Sequence, residues 1–229
     1  MELRDKAAAA SGISAAAFAF STPLLAGLAQ PGYQHCSQFI SELGQAGAPH
    51  AMLVRFAGFL PTGLLTLAFA LLSAAHTGST SHARFGFVLF SAVGWAYLAA
   101  AFFPCDPGCP SSGSTTQQIH NAFGALEYLA GGAGLALLGG SPTTPSWTRG
   151  PKQLSVLGSA IVFTAFAAML IPDFEPVRGL FQRGADATLF LAVVVWSVRL
   201  LAGGVDRVAP DTTRRPSAHS VGQRVESAE

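Results

Sequence analysis

The chain has 229 residues, half of them hydrophobic, and only 11% are Asp, Glu, Lys or Arg. A soluble domain carries about 25% charged residues, so a water-soluble fold of this length would lack the charge to cover its surface. The formal net charge of +1 excludes both a globally basic nucleic-acid binder and an acidic solvating protein.

What remains is an all-α, polytopic membrane protein. A hydrocarbon core roughly 30 Å thick takes about 20 mostly apolar residues at 1.5 Å each. Six stretches qualify: residues 7–29, 56–75, 85–103, 119–140, 154–171 and 185–201. The sixth carries Asp186 and Arg199 near its ends, and both are expected to snorkel to the headgroups. Residues 1–205 therefore form a six-helix transmembrane domain. Residues 206–229 lose the hydrophobic period and are expected to be a disordered cytoplasmic tail.

Basic residues set the orientation. With the N-terminus inside, the cytoplasmic side receives Arg4, Lys6, Arg84, Arg149, Lys152, Arg199 and the arginines of the tail, and the outer side only Arg55, Arg178 and Arg183. That asymmetry predicts an N-in, C-in topology. A rival reading makes the first span a cleaved signal peptide with Gly27-Leu28-Ala29 as its cleavage site, which leaves the remaining topology unchanged. Gly131, Gly132 and Gly134 lie inside an apolar span, where they let helices approach closely and do not cradle phosphate.

The three outer loops hold the reactive side chains. In the first, Cys36, Phe39, Ile40 and Leu43 fall at i, i+3, i+4 and i+7, the apolar stripe of a short interfacial helix, with His35, Gln38 and Glu42 on another face. In the second, Cys105 and Cys109 bracket an Asp-Pro-Gly turn. A disulfide between them is the first choice; pairing of either with Cys36, or no bond, stays open. A zinc site would need a second pair of ligands that the sequence lacks, so no metal and no cofactor is expected.

The fourth span opens on His120 and Asn121, and His120, Gly124 and Glu127 make one stripe at i, i+4 and i+7. Glu127 then lies about 10 Å deeper than His120 along the axis. A carboxylate there must pair, neutralise or meet water, and Arg178 or Arg183 is the expected cation. His76, His82 and His219 fall on the inner side, where solvated surface is the expectation.

Three stretches taken together resemble a known family: His35–Gly44, Phe103-Pro-Cys-Asp106 followed by Ile119-His-Asn121, and Gly179-Leu-Phe-Gln-Arg183 before an apolar span with Trp196. Their order resembles the bacterial and archaeal domain-of-unknown-function family 998, over roughly the first 200 residues. A more distant likeness is to the Frag/DRAM/Sfk-like group of six-span proteins. The resemblance implies a six-helix membrane fold with no established activity, and the expected location is the bacterial plasma membrane, crossed several times. It singles out Ser37, Glu42, Asp106, His120, Asn121, Gln182 and Arg183 as family-matching positions, without assigning a catalytic role to any.

The expected function is an outward-facing polar pocket that binds or modifies a lipid headgroup. Arg178, Arg183, Glu42, Ser37, Asn121 and Gln182 would contact the ligand, and His120, Asp106 and Glu127 are the candidates for acid–base work. The alternatives are a non-enzymatic scaffold that binds a partner, or a small proton-coupled transporter with Glu127 as its titrating group. Whether the protein is an enzyme, and its oligomeric state, stay open. Membrane lipid is the expected partner, and nucleic acid is not.

Overall fold

The computed structural model describes residues 3–76, 80–140 and 149–202. The predicted tail and His219 lie outside the described residues. Six long helices follow in order: α1 Leu3–Ala29, α2 Ala51–Ala74, α3 Ser81–Phe102, α4 Thr115–Gly140, α5 Arg149–Met169 and α6 Arg178–Ala202. Each has the length and apolar composition to cross a bilayer, and there is no strand among the described residues. The protein is thus a multi-pass membrane bundle. Its outward faces carry large apolar side chains such as Leu28, Leu53 and Leu170, each at least 66% exposed, a surface that hydrocarbon tolerates and water does not.

The helices form a closed ring. Each packs chiefly on its two sequence neighbours, and α6 returns to α1. Aromatic and aliphatic side chains fill the centre, among them Phe69, Phe90, Phe190, Leu189 and Val193.

Backbone contact between neighbours depends on glycine. A Cβ on Gly94 of α3 would meet the Gly63 carbonyl of α2 at 2.9 Å, and one on Gly63 would meet the Gly94 carbonyl at 2.8 Å. Gly134 and Gly86 make the same reciprocal crossing between α4 and α3, as expected for Gly134.

The helix ends follow local chemistry. α1, α3 and α5 all stop within three residues of a proline, which lacks the N–H to continue a helix. α2 starts earlier than its apolar pattern suggests and contains a π segment, Val54–Phe59. Pro61 has no N–H to offer the Ala57 carbonyl, and the Leu60 N–H reaches back five residues to the Arg55 carbonyl. This irregularity ends at Phe59, which lines the polar chamber described below.

Three expectations are corrected here. The first loop forms a 3-10 helix, Ile40–Gly44, in place of an α-helix beginning at Cys36, and the change of period turns Glu42 inward to 2% exposure. Asp186 does not snorkel. It is buried, because its one-carbon stem is too short to reach the headgroups and two tyrosines meet it in the core. His76 is not a solvated loop residue: its Nδ1 lies 2.7 Å from Asp5 Oδ1 and ties the start of α1 to the end of α2.

Candidate functional site

The loops joining α1–α2, α3–α4 and α5–α6 meet at one end of the ring. Ala46 N donates to the Cys105 carbonyl at 2.9 Å, and Leu180 N donates to the Cys36 carbonyl at 3.1 Å. Two arginines at the start of α6 lock this end.

Arg183 Nη1 donates to the carbonyls of His35, Gln38 and Gly179 at 2.7, 2.8 and 2.9 Å, and Nη2 meets the Tyr33 hydroxyl. Gly179 permits this approach: a Cβ there would collide with the Gln38, His35 and Cys36 carbonyls. Burial raises the Tyr33 phenol above its ordinary value, and Arg183 pulls it the other way. Burial first, then Arg183, hold the His35 imidazole below its usual value.

Arg178 spreads over the same loops. It reaches Glu42 Oε1 and the Gly108 carbonyl at 3.3 Å each and the Ser37 carbonyl at 3.2 Å, and its guanidinium stacks 4.4 Å from the Phe39 ring. Glu42 also accepts from Gln38 Nε2 and from its own helix start, Phe39 N, both at 2.9 Å. Gly108, with φ of +79°, turns the second loop so that its N–H donates to Gln45 Oε1 at 2.7 Å.

A third group holds the second loop to α4. Asp106 accepts from Ser114 N and Oγ at 2.8 and 2.7 Å, bonds that lower its carboxyl below the usual range. Gln117, fully buried, accepts from Asp106 N at 2.6 Å and donates to the Pro110 carbonyl and to Asn121. Asn121 donates to the carbonyls of Pro110 and Ser111. Cys105 and Cys109 are joined by a disulfide, and Cys36 is free and exposed.

Below this cap lies a small chamber of about 60 Å³ whose lining includes Ser41, His120, Glu127, Gln182 and Asp186. Tyr97 and Tyr128 donate to the two oxygens of Asp186 at 3.1 and 2.9 Å. Glu127 is 7% exposed and its Oε1 has no hydrogen-bond partner. The expected pairing of Glu127 with an arginine is therefore corrected, since loop carbonyls and Glu42 take both guanidinium groups at the rim.

Gln182 and His120 line the chamber and also a larger groove of about 390 Å³. That groove is polar where Asn121 and Arg178 border it and apolar along Phe166, Met169 and Leu170. Gly124 lines both spaces, and a Cβ there would meet nothing within 4 Å.

The structure thus brings His120, Glu127 and Gln182 to one cavity. Asp106 is engaged by Ser114 in the cap, outside the chamber lining, while His120 Nδ1 lies 3.0 Å from the Phe103 carbonyl. His120 forms a group of three potential metal donors with Cys105 and Cys109, all within 4.8 Å of one another. A disulfide sulfur is not the thiolate that binds zinc, and the two cysteines here are joined. Asp186 and the two tyrosines join the site without a sequence signal, because nothing local announces a partner 58 or 89 residues away.

The family described as "Protein of unknown function (DUF998)" matches residues 13–199. The chain belongs to this family. The match runs from within α1 to near the end of α6 and so takes in the whole cap and chamber. No curated protein and no solved structure matches the chain.

Proposed function

We propose that this DUF998 protein binds a membrane amphiphile, with the polar group in the chamber and the chain along the groove beside it. The observation that carries the reading is that the two spaces lie side by side with lining residues in common. One is small and lined by ionisable side chains, the other is several times larger and mainly apolar, and Gly124, His120 and Gln182 border both. Ligand sites of this kind combine an apolar wall with a few convergent polar groups. The distribution of basic residues further supports an N-in, C-in topology with the cap outside. His120 and Glu127 are the groups available for proton transfer if the bound molecule is also modified.

The test is lipid retention. Protein purified in detergent carries a defined lipid by mass spectrometry, and Gly124→Phe, whose Cβ enters open space and whose ring enters the space proposed for the lipid, sheds it while remaining folded. The same lipid mixture in wild type and Gly124→Phe would overturn the proposal. A scaffold role draws support from the cap, where three loops are held by arginine and amide hydrogen bonds. It predicts binding of a partner that Gly124→Phe leaves unchanged.

A further inference from the structure

We infer that the polar group received by the chamber is cationic, an ammonium carried by the amphiphile proposed above, and that Glu127 and Asp186 are its anionic partners. This assignment rests on the amphiphile reading and adds the sign of the headgroup charge. Two carboxyl side chains line one cavity, and no lysine or arginine is among the residues that line it. Asp186 is held in place by Tyr97 and Tyr128, one hydroxyl on each oxygen. Glu127 is differently placed: more than nine-tenths buried, bordering the cavity, and with one oxygen unsatisfied.

A buried polar atom without a partner is costly, and burial of a carboxylate calls for an opposite charge or a donor. An ammonium group brings both, in the form of N–H donors and a positive charge. A water needs roughly 10–15 Å³ of such space, so about 60 Å³ admits a compact ammonium group but not an acyl chain. The chain has the groove.

A phosphate is disfavoured on the same grounds. It would face two carboxyl groups, and the arginines that would otherwise receive it are engaged by loop carbonyls and Glu42. To bind phosphate, Arg183 would have to release the first loop.

The experiment uses the full chain reconstituted in vesicles of equal parts dioleoyl phosphatidylethanolamine and dioleoyl phosphatidylglycerol, extracted gently and read by native mass spectrometry. The expected result is about tenfold enrichment of the ethanolamine lipid over the glycerol lipid. Glu127→Gln and Asp186→Asn return the ratio to that of the vesicle. Retention of the glycerol lipid in equal or greater amount would overturn the ammonium assignment and leave the amphiphile site standing. No lipid retained at all would overturn both.

A second measurement needs no variant. Decylammonium raises the melting temperature of the wild-type protein and displaces the bound ethanolamine lipid, whereas decyl phosphate of the same chain length does neither. Equal effects of the two, or an effect of the phosphate alone, would sink the inference.

Discussion

The two ends of the bundle are held together by different physics. At the cap, loops without long regular structure are fixed by charged and amide side chains that bond to backbone carbonyls, with Arg183 alone serving three of them. Toward the opposite end, α3 and α4 meet through the glycine crossing of Gly86 and Gly134, and a His76–Asp5 pair joins α1 to α2. Irregular backbone at a membrane surface must satisfy its polar groups with side chains, while helices satisfy their own and need only fit. The lesson is that at the cap the arginines and amides are spent on loop carbonyls, and that carboxyl groups deep among helices, as at Glu127 and Asp186, take no part in that work.

Variants at each end test this contrast. Arg183→Ala removes the most bonds at once and leaves loop carbonyls unpaired. The expected loss is on the order of 3 kcal/mol, given about 1.5–3 kcal/mol for hydrogen bonds to a charged group, and Arg183→Lys recovers only part of it. Reversible unfolding in detergent measures both; a loss no greater than that of an exposed arginine would break the comparison.

Between the helices, Gly94→Ala puts a methyl group 2.9 Å from the Gly63 carbonyl and from Leu67 N, backbone atoms that cannot turn aside. Overpacking of this kind costs about 1–3 kcal/mol. His76→Ala, which takes the imidazole from the buried Asp5 carboxyl, is expected to cost about 1–3 kcal/mol.

Glu127→Gln is expected to have the smallest effect on stability, near zero or a slight gain, since it replaces a carboxyl oxygen that has no partner. A loss above about 2 kcal/mol would show that Glu127 is a structural member of the core. Function bought at some cost in stability is a common arrangement in binding sites.

Acid sharpens the comparison further. The folded protein holds the His35 imidazole below its usual value, so the unfolded chain takes up the proton more readily. The stability this confers is complete above about pH 6.5 and falls as the pH drops through that value toward the folded one. Asp106, also lowered, works in the same direction but in the more acidic carboxylate range. Unfolding followed from pH 7 downward is expected to show the first loss in wild type and a flatter profile in His35→Gln. An unchanged profile would remove His35 from the account.

How much of this was legible in the sequence depended on the range of the interaction. The six spans need only a local count of apolar residues, and they appear with ends shifted by a few residues. Gly134 was readable because a glycine in an apolar helix has few purposes. Glu42 was seen as important but placed on a polar face, since helical spacing was applied to a segment that winds more tightly.

Asp186 was misjudged for a different reason. Near the end of an apolar stretch a charged residue reads as one that escapes to water, and only the fold supplies Tyr97 from α3 and Tyr128 from α4 to hold it. Gln117 carries no signal in the sequence, yet it is fully buried and bridges the second loop to α4. Amides of this sort carry no charge pattern that would set them apart.

The closure of α6 on α1 has a consequence for biogenesis. Translation delivers α1 first and α6 last, so during membrane insertion the first loop waits with the carbonyls of His35 and Gln38 lacking the guanidinium that will bind them. A nascent chain stopped after α5 would leave that loop without its guanidinium anchor, and arrival of the final helix would be the event that fixes it.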